Sequence, residues 1–295
     1  MRRHGLVGAL LGGVALIVAG CSGTGDGGGP GEAGVKIAEY VGDGHGGTKP
    51  LPPFLTAPSG SAGEVTTQVA APVLNHNTPY VADTVEQTNV SWYRLPAVSV
   101  ATCWVVTVQP TANLDSDLYM IEGNASAFGD GADYRGSSNR LPTASGELTR
   151  GVGYAPDWAY TSTTGTTGGH PSAFIAVYGV PDLNLGARPF RIEADMAGVL
   201  YAGGAARAGS LTAGNSLWFY FYGALSGTAY TVKLTAVQGD PDVYVYGQRS
   251  IEFIGKDISA GNGQVHFTTA TYDKYYFIRV YGYNNCKYSI KVTSP

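Results

Sequence analysis

The chain has 295 residues, with 18 basic and 22 acidic side chains for a net charge of −4, and only 14% of its residues are charged. No stretch is rich in Lys and Arg, which excludes nucleic acid as a partner, because neutralising phosphates needs clustered cations. With 43 glycines and 20 tyrosines, such a chain folds by burying aromatic and β-branched side chains between many turns, the composition of an all-β protein.

Met1-Arg2-Arg3 leads into a Gly- and Leu-rich apolar stretch that closes on Val18-Ala19-Gly20-Cys21. A basic start, a short apolar core and small residues before a cut predict a secretory leader over 1–20. As a helix, residues 6–19 would extend about 21 Å, short of the ~30 Å hydrocarbon core of a bilayer, so this is not a spanning helix. The closing tetrapeptide resembles the lipobox of bacterial lipoproteins. That resemblance implies cleavage before Cys21, acylation of its thiol, a membrane partner held through a lipid anchor, and a place in the cell envelope on the extracytoplasmic side. Residues 22–36 have almost nothing apolar to bury and read as a flexible tether. Residues 37–75, interrupted by Pro50, Pro52 and Pro53, have room for one short strand over 65–69. The segment 21–78 is therefore predicted to be a disordered tether and linker.

From residue 79 the character changes and an internal repeat begins. Ser91-Trp92-Tyr93-Arg94-Leu95 matches Leu217-Trp218-Phe219-Tyr220-Phe221. Asp115-Ser116-Asp117-Leu118-Tyr119 matches Asp240-Pro241-Asp242-Val243-Tyr244, and Phe174 to Gly179 matches Phe277 to Gly282. Each copy closes on an alternating strand, Phe190-Arg191-Ile192-Glu193 or Tyr288-Ser289-Ile290-Lys291. The first copy carries about 22 extra residues between its second and third matches. Trp104, Val106 and Val108 fall on one strand face, as do Tyr230, Val232 and Leu234. Such period-2 patterning between Gly, Asn and Asp turns predicts antiparallel sheets packed face to face, with very little helix. The expected architecture is two tandem β-sandwiches, over 79–196 and 197–295.

The order Trp-Phe-x-Phe, Gly-Asp-Pro-Asp-Val-Tyr-Val-Tyr, Tyr-Tyr-Phe-Ile-Arg-Val-Tyr-Gly-Tyr and Tyr-Ser-Ile-Lys-Val over 218–292 resembles the bacterial pre-peptidase C-terminal domain, a relative of the collagen-binding domains of secreted collagenases. The first copy matches at its strands only and is divergent. The resemblance implies jelly-roll-like sandwiches that accompany secreted enzymes as non-catalytic modules, sometimes binding calcium.

Candidate sites follow from residue type and place. Asp115 and Asp117, with the acidic residues Asp83 and Glu86 ahead of the first matched strand, would offer oxygen ligands to Ca²⁺; the sequence points to no other cofactor. The aspartate pairs 115/117 and 240/242 would equally close turns by accepting backbone N–H bonds. In the strand near 275–283, alternation puts Phe277, Arg279, Tyr281 and Tyr283 on the face opposite Tyr276, Ile278 and Val280. A row of aromatics beside an arginine would form a binding platform for an extracellular polymer or protein, or would cover the sheet or meet the other domain. Cys103, opposite Trp104, and Cys286, in the 284–285 turn, are both expected to be accessible, leaving an interdomain disulfide open for geometry to decide. No catalytic residue is assigned: the histidines at 45, 76, 170 and 266 are isolated, and no Gly-x-Ser-x-Gly elbow occurs. The chain reads as a non-enzymatic, surface-anchored binding or accessory module, or as a structural subunit whose aromatic faces pair with copies of itself or with an envelope complex.

Overall fold

A computed structural model describes residues 40–42 and 48–50 and, from 71 to 294, all but 79, 86–88, 111–115, 123–133, 139–156, 164–170, 180–187, 224–226, 248–252 and 271–274. Every regular element among them is a strand. The short strands β1 (Tyr40–Gly42) and β2 (Thr48–Pro50) pair with each other. The first repeat supplies β3 (Tyr80–Val85), β4 (Val90–Arg94), β5 (Thr102–Pro110), β6 (Ser116–Glu122), β7 (Tyr134–Ser138), β8 (Asp157–Thr163), β9 (Ala173–Gly179) and β10 (Arg188–Met196). The second supplies β11 (Gly198–Val199), β12 (Arg207–Leu211), β13 (Ser216–Tyr222), β14 (Ala229–Gln238), β15 (Pro241–Gly247), β16 (Phe253–Asp257), β17 (Gly263–Thr268), β18 (Tyr275–Gly282) and β19 (Cys286–Thr293).

Strands β3 to β19 form four large sheets. The first has the order β4-β9-β6-β7 and the second β3-β10-β5-β8. The third is β11-β13-β18-β15-β16 and the fourth β12-β19-β14-β17. Apart from the parallel edge strand β11, the second repeat reproduces the strand orders of the first. The registers agree as well. Tyr93 lies opposite Ile175 as the matched Phe219 lies opposite Ile278, and Ile192 opposite Val108 as Ile290 opposite Leu234. The repeat seen in sequence is thus a repeat of cross-strand pairs.

Alternation turns one face of each sheet inward. Trp104, Val106, Val108, Phe190 and Ile192 of the second sheet meet Tyr93, Leu118, Met120, Ile175 and Val177 of the first in one core. Phe219, Phe221, Val243, Val245, Tyr276 and Ile278 of the third meet Tyr230, Val232, Leu234, Val265, Tyr288 and Ile290 of the fourth in another. Burying each large aliphatic or aromatic side chain stabilises its sandwich by about 1.5–3 kcal/mol. The first core also recruits Leu74, 1% exposed, whose N–H donates to the carbonyl of Arg94. Ordered packing therefore begins before residue 79, because an apolar residue held by a backbone bond to β4 completes the core edge. The proposed strand over 65–69 and the leader with Cys21 lie outside the described residues.

Candidate functional site

The outward face of the third sheet carries Trp218 and Tyr220 on β13, Tyr246 on β15, and Phe277 and Arg279 on β18. Opposite it stands the outward face of the second sheet, with Cys103 and Val105 on β5 and Trp158 on β8, and these side chains, Arg279 apart, form a third buried cluster. The ring of Trp158 lies 4.9 Å from Trp218, 5.2 Å from Tyr246 and 5.3 Å from Phe277, centroid to centroid. Tyr160 lies 4.5 Å from Phe277. Such tilted aromatic contacts add about 0.5–1.5 kcal/mol each beyond their burial. Trp218 Nε1 donates to Thr107 Oγ1 across the joint at 3.1 Å, which satisfies an indole N–H that would otherwise be buried unpaired. The described residues from 71 onward form a stack of four sheets, two cores and an aromatic joint between them.

Polar groups flank the joint. Arg279 Nε donates to Ser216 Oγ at 2.7 Å, and its Nη2 lies 4.0 Å from Oε1 of Glu193 on β10. Arg191 donates to Oδ1 of Asn215. Asp195, 1% exposed, accepts the Asn77 N–H and sits 3.3 Å from Nδ1 of His76. Burial pushes the Glu193 carboxyl above the usual range, with the Arg279 charge opposing it. Burial likewise raises Asp195 against its contacts with His76.

This arrangement corrects the expected binding platform. Phe277 is fully buried and Arg279 is 6% exposed, because the face that alternation sends outward is covered by the other sandwich. Tyr281 is half-buried, with the Arg279 guanidinium 5.3 Å from its ring centre. Tyr283 alone of the four is open, at 71%. The sequence reading passed over Trp158 and Thr107. Their signal was the outward alternation Trp158-x-Tyr160 facing an equally aromatic outward row in the second repeat.

The cysteines are also corrected. Cys103 and Cys286 are both buried and both free. Cys103 packs in the aromatic joint and Cys286 in the core of the second sandwich, so they belong to different clusters. β19 begins at Cys286 with its side chain inward, where the turn had been expected to continue.

For the calcium set, Glu86 and Asp115 lie outside the described residues. Asp83 is on β3 of the second sheet, opposite Phe190. Asp117 is on β6 of the first sheet, opposite Tyr178. The side chains of both are outside the description. Among the described residues no group of three or more His, Cys, Asp or Glu is placed to hold a metal ion. In the second repeat Asp240 Oδ1 accepts the N–H of Gly261, and Asn284 Oδ1 accepts the N–H of Asp240 at 2.8 Å. Gly239 enters that turn at φ +74°, where a Cβ would fall 2.3 Å from the Asn285 carbonyl oxygen, so only glycine fits. Asp240 thus closes a turn. Asp242, 7% exposed, is pushed up to about 6 by burial and by the charge of Asp240.

The outward face of the fourth sheet is different in kind. Its positions are Ala208 and Ser210 on β12, Ala229, Thr231, Lys233, Thr235 and Gln238 on β14, Gln264, His266 and Thr268 on β17, and Lys287, Ser289, Lys291 and Thr293 on β19, and none of them is buried. Thr231 Oγ1 lies 2.8 Å from His266 Nδ1. An open groove of about 570 Å³ sits at one end of this sheet, lined by Thr231, Lys233, His266 and Thr268 and by the edges of the core rings Tyr230 and Phe267.

No family model matches the chain, and no curated protein matches it. Among solved structures, it is similar to the pre-peptidase C-terminal domain of a collagenase from Bacillus anthracis, at 13% identity and a TM-score of 0.29 over 32% of this chain and 93% of that one. It is also similar to the CUB1-EGF-CUB2 domains of rat MASP-1, at 8% identity and a TM-score of 0.22 over 74% of this chain and 99% of that one.

Proposed function

We propose that the protein is a lipid-anchored, non-enzymatic binding or accessory module of the bacterial cell envelope, held to a membrane through Cys21 and built from two sandwiches of pre-peptidase C-terminal type. One observation carries this reading. The aromatic faces are spent on joining the sandwiches, while the outward positions of the fourth sheet stay unburied and a groove of about 570 Å³ opens at one end of it. That volume falls in the range of ligand clefts. Contact with an extracellular polymer or protein therefore belongs to the fourth sheet and not to the row Phe277, Arg279, Tyr281, Tyr283.

The test takes the full-length protein extracted in detergent, beside Cys21→Ala. The native protein should partition into the detergent phase, elute as a monomer, and be retained on at least one polymer or extracellular-protein resin. The variant should lose detergent partitioning, since the acyl chains supply about 0.8 kcal/mol per buried CH₂. Self-assembly without retention would instead make the protein a structural subunit.

A further inference from the structure

We infer that the outward face of the fourth sheet is a binding site for an acidic polysaccharide, one carrying carboxylate or sulfate groups spaced along a hydroxyl-rich chain. This rests on reading the protein as a binding module. The first observation is charge. The outward positions hold Lys233, Lys287, Lys291 and His266, and no acid at all, in a chain whose net charge is −4. Among the described residues none of the three lysines has a salt bridge.

The second observation is placement. Lys233 lies directly opposite Lys291 on the neighbouring strand, a like-charge pair that destabilises a sheet. Lys287 stands four residues from Lys291 along β19, about 13 Å at the rise of an antiparallel strand. A repulsive pair retained on an open face is relieved by an anion bridging it.

The third observation comes from the repeat. Matched registers make Lys233 the counterpart of Thr107 and Lys291 that of Glu193. Gln264 and His266 take the places of Trp158 and Tyr160. The positions that join one sandwich to the next have become basic and hydroxyl-bearing in the copy where they face solvent. Charges this far apart, separated by Thr, Ser, Gln and His, suit a ligand with intermittent anions and many hydroxyls. The rings that reach the groove, Tyr230 and Phe267, are buried in the core and are not free to stack nucleobases, and the exposed Val237 on β14 is too little apolar surface to hold a bilayer.

The experiment compares the full-length protein in detergent with Lys233→Glu/Lys291→Glu and with the milder Lys233→Gln/Lys291→Gln. The probes are immobilised heparin, alginate, neutral dextran and collagen, together with duplex DNA and phosphatidylglycerol vesicles. The native protein should bind heparin or alginate, and raising salt from 50 to 200 mM should weaken this by about tenfold to fortyfold, as release of counterions by three cations implies. The Glu pair should abolish retention and the Gln pair weaken it about tenfold, with unchanged melting temperatures. Binding only to dextran or collagen, unaffected by the substitutions, would overturn the acidic ligand and leave the binding-module reading standing. Retention on no probe would overturn both. Stronger binding to DNA or vesicles than to either acidic polysaccharide would refute the choice of polymer.

Discussion

The aromatic joint makes a prediction about Trp218 that differs from that for an ordinary core residue. Its side chain is 1% exposed, yet its neighbours are Trp158, Tyr246 and Thr107 and not the core of its own sandwich. A buried tryptophan hides about 200 Å² of mostly apolar surface, which at 25 cal/mol per Å² amounts to about 5 kcal/mol. The measured range for such truncations is about 3–5 kcal/mol, and the bond to Thr107 accounts for about 1 of it. In the full-length protein, Trp218→Ala should therefore weaken the joint by about 4 kcal/mol while leaving both cores intact.

The assay is a thermal melt followed by tryptophan fluorescence and far-UV circular dichroism. One cooperative transition in the native protein should split into two in the variant. Residues 197–295 expressed alone should fold on their own core, and there the same substitution should change the melting temperature little, since Trp218 is already in solvent. It should also improve solubility, because the lone fragment exposes Trp218, Tyr220, Tyr246 and Phe277 as one apolar patch. A loss of about 4 kcal/mol in the fragment, or an unchanged single transition in the full chain, would refute the assignment of Trp218 to the joint.

Other predictions follow from the polar groups. Arg279→Ala should cost about 3 kcal/mol by leaving Glu193 without its counter-charge, whereas Tyr283→Ser should leave a urea melt unchanged. Glu193, Asp195 and Asp242 all have raised carboxyl pKa values, so the folded state takes up protons before the unfolded one and stability should rise on acidification. For Asp242 the window runs from about 4 to about 6 and is worth up to about 3 kcal/mol; urea midpoints at pH 7.5 and 4.5 check the sign, and a lower midpoint at 4.5 refutes it. Below that window Asp257 acts oppositely, because its bonds from Ser259 and Gln264 hold its carboxyl down. Millimolar Ca²⁺ should leave the melting temperature unchanged, as Asp83 and Asp117 stand on different sheets; a rise of several degrees would show that they converge with Glu86 and Asp115.

The inward faces were legible because alternation has a period of two, and a strand with one apolar face has one register that buries it. Trp104, Val106, Val108 and Tyr230, Val232, Leu234 all point where their spacing said. The repeat was legible for the same reason, since matched residues occupy matched cross-strand pairs. What lies beyond the outward face is a different question. Alternation divides a strand into two sides and says nothing about whether a second layer covers the other one. On that account alone, Phe277 and Arg279 could serve a ligand or meet the other domain, and Cys103 is expected to be accessible. Comparing outward positions between the copies holds the missing information: Trp158 and Tyr160 are aromatic in one, Gln264 and His266 polar in the other.

That comparison bears on why the stack has this form. The joint is head-to-tail, the second sheet of one repeat against the third sheet of the next, and the third sheet is the counterpart of the first. Contacts between unlike faces continue indefinitely unless a face is altered. On the fourth sheet the altered positions are the ones that make the joint. An incoming arginine in the role of Arg279 would meet Lys291 where Glu193 stood, and an incoming tryptophan in the role of Trp218 would meet Lys233 and Gln264 where Thr107 and Trp158 stood. Another sandwich of the same kind would there bury an unpaired ammonium beside a guanidinium, at a cost of several kcal/mol. The residues that would disfavour docking another sandwich by these contacts are therefore the same ones that charge the open face, so a single set of positions both opposes that contact and leaves a surface suited to anions.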